Sequence, residues 1–164
     1  MKNKNHTNGL FLMQTLLVPF ALALMMSPLA NSKENLAEFE PMDVFELEWA
    51  TDPRVSPNGK TIVYVRKSND IMKDRERSNL WQVSLDGTDH RPLYSGLNSI
   101  KSPRWSPNGK KLAFVSNDTG SQQIHVRWLD NGETALISQL QASPSNLSWS
   151  PDGKWLAFTM NVKA

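Results

Sequence analysis

Apolar residues in this chain gather into short blocks separated by turn-forming residues, and the blocks recur. Arg54-Val55-Ser56-Pro57-Asn58-Gly59-Lys60 leads into Thr61-Ile62-Val63-Tyr64-Val65. Arg104-Trp105-Ser106-Pro107-Asn108-Gly109-Lys110 leads into Lys111-Leu112-Ala113-Phe114-Val115, and Ser148-Trp149-Ser150-Pro151-Asp152-Gly153-Lys154 into Trp155-Leu156-Ala157-Phe158-Thr159. The glycines lie 50 and then 44 residues apart. A repeat of that length, rich in β-branched and aromatic residues, signals stacked β-units. Pro presets the second position of a type I turn, Asn or Asp takes the third, and Gly supplies the left-handed residue of a bulge. Pro57, Asn58, Gly59, Pro107, Asn108, Gly109, Pro151, Asp152 and Gly153 are therefore read as structural turns, each joining two antiparallel strands.

The strands after these turns are apolar on both faces. Leu112 and Phe114 point one way, Ala113 and Val115 the other. A half-solvated sheet would alternate apolar with polar residues, whereas a propeller blade is covered on both sides. Each unit has a second half: 80–88 then 91–95, and 124–133 then 134–138, both reading as strand, Asp-centred turn, strand. Asp86 precedes Ser106 by 20 residues, as Asp130 precedes Ser150. The difference between the two periods thus falls between second and third strands, and is expected in loops at 66–78 and 116–122. The fold class that follows is all-β: a partial β-propeller of about two and a half four-stranded antiparallel blades, after a signal peptide and a short helix. The blades are placed at about 52–95, 102–138 and 146–164. A closed ring needs roughly four to eight blades, so the chain reads as the N-terminal piece of a longer protein.

Residues 1–32 read as a signal peptide. Lys2 and Lys4 form the basic start, Leu10 to Met26 is largely apolar, and Ala30-Asn31-Ser32 offers small residues for cleavage after Ser32 or Ala30. An uncleaved anchor is the alternative. Residues 33–51 read as linker and short helix, with Met42, Phe45 and Trp49 sharing one face. The formal net charge is +2, and removal of 1–32 leaves 16 basic and 16 acidic residues. No basic stripe suggests nucleic acid. There is no cysteine, which excludes disulfides, thiol catalysis and cysteine-ligated zinc. His6, His90 and His125 have no ligand spacing, so no metal or cofactor is expected.

The pattern Trp-Ser-Pro-Asn/Asp-Gly-Lys-x-Leu-Ala-Phe at 104–115 and 148–158 resembles the PD40 repeat of TolB-like propellers. The run from Asp43-Val44-Phe45 through Ala50-Thr51-Asp52-Pro53-Arg54-Val55-Ser56-Pro57-Asn58-Gly59 is similar to the start of bacterial serine peptidases of the prolyl oligopeptidase family, acylaminoacyl-peptidase or dipeptidyl-peptidase type. That resemblance implies a propeller covering a C-terminal α/β-hydrolase domain, admitting peptides and refusing folded proteins. It places the catalytic Ser, Asp and His in the hydrolase domain, so none is assigned to these residues. No Gly-x-Ser-x-Gly nucleophile elbow occurs, and Ser143-Pro144-Ser145 reads as loop. The implied partners are peptide substrates reached through that further domain, with no nucleic acid and no stable membrane insertion after signal cleavage. Two other readings stay open. One is a TolB-like interaction module of the periplasm, although TolB carries an α/β domain before its propeller and only about ten residues separate the signal from the helix here. The other is an enzyme with its site in the channel, although the innermost strands end in 54–56, 104–106 and 148–150 without clustered His, Asp or Glu.

Overall fold

The computed structural model describes residues 38–96 and 99–162; the signal peptide expected at 1–32 lies outside the described residues. Within them the chain forms a 3-10 turn, Pro41–Phe45, and ten strands. The first sheet holds β1 (Glu48–Val55), β2 (Thr61–Asp70), β3 (Arg75–Ser84) and β4 (Arg91–Tyr94), and the second β5 (Ile100–Trp105), β6 (Lys111–Ser116), β7 (Gln123–Trp128) and β8 (Thr134–Leu136). The third pairs β9 (Ser145–Trp149) with β10 (Leu156–Thr159). Every pairing is antiparallel and follows chain order. The first strands β1, β5 and β9 approach one another in series, while β4 and β8 make no mutual approach. The sheets are thus blades of an open β-propeller wedge, with the first strands on the axis.

The three Ser-Pro-Asn/Asp-Gly turns have one geometry. Gly59, Gly109 and Gly153 have φ of 71°, 69° and 68°, and their amides donate to the carbonyls of Ser56, Ser106 and Ser150 at 2.9 Å. The serine hydroxyl accepts the amide of Thr61, Lys111 or Trp155 and donates to Asn58, Asn108 or Asp152. The turns thereby satisfy many of their polar groups locally, and the carbonyls of Lys60 and Lys110 accept the amides of Leu85 and Leu129.

The core lies between blades. Leu112 and Phe114 pack against Val63, Leu80 and Leu93 of the first blade. On the opposite face Val115 and Ile124 pack against Leu147, with Leu140 and Leu156 alongside. All residues from Leu112 to Ser116 are buried, which accounts for the absence of polar alternation. Leu156 and Trp149 are half-buried and Phe158 is 37% exposed. That is more open than their counterparts Leu112 and Phe114, because β10 has β9 on one edge and no strand among the described residues on the other.

Two sequence expectations are corrected. The helix is one 3-10 turn at Pro41–Phe45, and Trp49 stands on β1 and shares no helical face with Phe45. Its neighbours Glu48 to Thr51 pair with Ser68 to Val65, because β2 is long enough to take them into the sheet. The extra length of the first unit is not loop at 66–78 either. It lengthens β2 and β3 to 10 residues each, against 6 in β6 and β7, around a four-residue turn at 71–74.

Truncating Phe114 to Ala removes the largest fully buried side chain. In the intact protein it is expected to cost about 3–5 kcal/mol, read as a fall in the urea midpoint of the propeller transition. A loss within experimental error would refute the between-blade core.

Candidate functional site: the seam between blades and the axial strands

The repeat produces a repeated bond at each seam. The indole Nε1 of Trp105 donates to the carbonyl of Arg54, and that of Trp149 to the carbonyl of Arg104, each at 3.0 Å. Trp105 and Trp149 hold the same place in successive units, and so do Arg54 and Arg104. At the corresponding place in the first unit stands Val55, which has no donor and is exposed. The turns stack in the same order. A Cβ at Gly109 would lie 3.6 Å from the Pro57 ring, and one at Gly153 3.6 Å from Pro107.

Each axial strand carries a bulge one residue long. The register slips between Thr51 and Arg54, between Lys101 and Arg104, and on β9 opposite Ala157 to Thr159. The residues at the slip, Asp52, Ser102 and Asn146, have φ of 47°, 57° and 53°. They occupy the same phase of the repeat. Left-handed backbone is uncommon outside glycine and easiest for Asn and Asp, so Ser102 carries the least accommodating side chain of the three. Sequence reasoning missed this bulge. The signal was Asp52-Pro53 and Ser102-Pro103, since proline inside a strand pattern marks a bulge or an edge. The bulge turns Asp52 so that its carboxylate meets Arg54 at 2.6 Å and Arg104 of the next blade at 3.0 Å. This places two guanidinium groups and one carboxylate on the axial strands.

Further bonds close the first seam. The buried Ser78 hydroxyl accepts the amide of Ile100 at 2.7 Å and donates to its carbonyl at 2.8 Å. Tyr94 donates to Asp118 at 2.8 Å and its ring meets Phe114 with centroids 5.0 Å apart. Burial, then the hydrogen bond and charge of Asp118, push the Tyr94 phenol up from 10.0 to about 12. Asn79 and Gln123 hold the connectors leading to the next blade, through the amides of Gly96 and Leu140. Beside the turns a cavity of about 290 Å³ opens between the blades, lined by Ser56, Asn58, Gln82, Arg91, Trp105 and Asn108 among others.

The histidines lie apart. His125 is buried and stacks on Phe114, while His90 is exposed beside Tyr64 and Trp81. Ser143 bonds to Gln122 and Ser145 to Thr159. Among the described residues, no group of three or more His, Asp or Glu could hold a metal ion, and no helix is long and apolar enough to cross a membrane.

Replacing Trp105 by Phe keeps an aromatic ring at the seam and removes the donor with part of the indole's bulk. It is expected to cost about 1 kcal/mol, again read by urea unfolding, and an unchanged midpoint would show the indole bond to be idle. Tyr94 gives a pH signature. Because its folded pKa lies above its unfolded one, its contribution is complete below pH 10 and is lost as pH rises through about 12. Tyr94→Phe is expected to flatten that part of the alkaline stability curve. Parallel curves for the two proteins between pH 10 and 12 would contradict the assignment.

The blades and their turns have known counterparts. The PD40 family, TolB beta propeller domain, matches residues 70–163. The peptidase YuxL of Bacillus subtilis, itself uncharacterized, is 30% identical over 99 residues, which are 60% of this chain and 15% of that protein. Dipeptidyl-peptidase 5 of Porphyromonas gingivalis is 31% identical over 100 residues, 60% of this chain and 14% of that protein. The chain thus spans about one seventh of the length of these relatives. Among solved structures, the acylaminoacyl peptidase of Pyrococcus horikoshii superposes with a TM-score of 0.60 at 20% identity, covering 73% of this chain and 18% of that one. With its repeated turns, its two-faced blades and a match over more than half its length, the chain belongs to the PD40 family of TolB-type β-propeller domains.

Proposed function

We propose that these residues are the export signal and first blades of a secreted or periplasmic serine peptidase, whose propeller admits peptides to a C-terminal α/β-hydrolase domain. The observation that carries the reading is the pair of peptidase relatives matched across the blades, each more than six times the matched length. A gating role is supported by the firmness of the seams: the second blade is packed on both faces, and a ring closed by such seams would keep a fixed axial opening while a substrate passes. The division of labour follows from chemistry: acyl transfer needs an activated nucleophile, a base and oxyanion donors, and the serines and histidines described above are engaged elsewhere. The turn residues from Pro57 to Gly153 serve as structure in this reading, and peptides are the partners.

A serine-directed fluorophosphonate tests it. The full-length protein is expected to label at one serine outside residues 1–164, to cleave short peptides and to spare folded proteins. Residues 33–164 alone should not label, and material from the cell envelope should begin at Lys33 or Asn31. An unlabelled full-length protein would favour a TolB-like interaction role, and labelling within 33–164 would overturn the division of labour. A cytoplasmic product retaining Met1 would refute export.

A further inference from the structure

We infer that the tip of the β2–β3 hairpin, Ile71 and Met72, together with the exposed apolar residues of the 3-10 turn, forms the surface on which the C-terminal hydrolase domain docks; this rests on the peptidase reading above. Strand parity comes first. In a blade of four antiparallel strands taken in order, the chain arrives on one side of the ring and leaves on the same side. The start of β1, the β2–β3 tip and the end of β4 therefore share a side, and the Ser-Pro-Asn-Gly turns lie on the other. Two contacts agree: Asn69, near the tip, donates to the carbonyl of Val44 at 2.9 Å, and across the ring the amide of Leu85 donates to the carbonyl of Lys60 at 2.8 Å. Parity holds for any number of such blades. A domain that follows the last one is tethered on the side of the β2–β3 tips.

The first blade reaches further on that side than the second. Its hairpin strands are each four residues longer and its turn two residues shorter, so at the rise of a β-strand the tip extends by about 10 Å. The composition of the two tips differs as well. The second blade turns through Asn117-Asp118-Thr119-Gly120-Ser121-Gln122, all polar or glycine. The first turns through Ile71-Met72-Lys73-Asp74, with Met72 88% exposed. Met42, Val44 and Leu47 of the neighbouring segment are also exposed. Single exposed apolar residues need no explanation, but a group gathered on one projection marks an interaction surface. Around it stand Lys73, Asp74, Glu76 and Arg77, charges of both signs, as at the polar rim of a protein–protein interface. A lipid or nucleic-acid surface would call for basic residues alone.

The test uses the full-length protein with the photo-cross-linker p-benzoylphenylalanine at position 72, and a control with it at position 85, which is 67% exposed on the opposite side. Cross-linked peptides are mapped by mass spectrometry, and fluorophosphonate labelling is measured on the same samples. The expected result is a cross-link from position 72 to residues beyond the propeller, and none to them from position 85. Cross-links from 72 confined to the propeller, to residues 1–37 or to a second copy would overturn the inference, as would a domain cross-link from 85. Labelling without the expected cross-link would remove the docking surface and leave the peptidase reading. A cross-link to a downstream domain that no probe labels would do the reverse.

Discussion

The structure depends on the burial of a sheet face against the next sheet. Leu112 and Phe114 find their partners in Val63, Leu80 and Leu93, and no blade has a hydrophobic core of its own. This explains why polar alternation is absent from β6, and why β10 is more open. Burying a side chain of the size of Leu or Phe contributes about 1.5–3 kcal/mol, so each seam is worth several such side chains. A blade is stable because it is held between neighbours, and the array is the folding unit.

The hydrogen bonds add orientation to that adhesion. Apolar faces tolerate sliding and rotation. The indole bonds of Trp105 and Trp149, the two-way grip of Ser78 on Ile100 and the stacking of proline rings over glycines each accept one register. The axial bulge serves the same end. By giving one left-handed residue to each first strand, it turns the Asp52 carboxylate across the seam to Arg104.

Much of this was legible in the residues. The Pro-Asn/Asp-Gly chemistry located three hairpins because it acts locally, through φ preferences and side-chain bonds that span five residues. The two-faced apolar strands revealed the stacking for the same reason. What escaped depended on distant pairing. Trp49 looks helical by its spacing from Phe45, yet residues 48–51 pair with β2, which is long enough to take them up. Residues 66–70 and 75–78 look like loop because the difference between the two repeat periods falls there, yet they form a ladder in which Lys67 meets Glu76 at 2.7 Å. The bulge was missed because its signal is uneven: proline follows Asp52 and Ser102 but not Asn146, and Ser102 does not announce a left-handed backbone. The contacts of Tyr94 and Asn79 had no signal in the sequence, since the first is reached through the packing of one blade on another and the second through the path of the connector after the blade.

The indole contact has a direction. Each tryptophan gives to the blade before it, and each arginine carbonyl receives from the blade after. Such a head-to-tail contact is heterologous, the kind that assembles subunits into rings or filaments, here written within one polypeptide. Any copy of the unit carries both halves of the joint. A tandem duplication of one such stretch of the gene would therefore insert into the array without inventing a new interface, and ring size becomes a quantity that recombination can change in single steps. Val55 breaks the rule at one place. A unit lacking the donor can receive a successor but cannot seat itself by this bond behind a predecessor, so its own rear face must be held by other contacts.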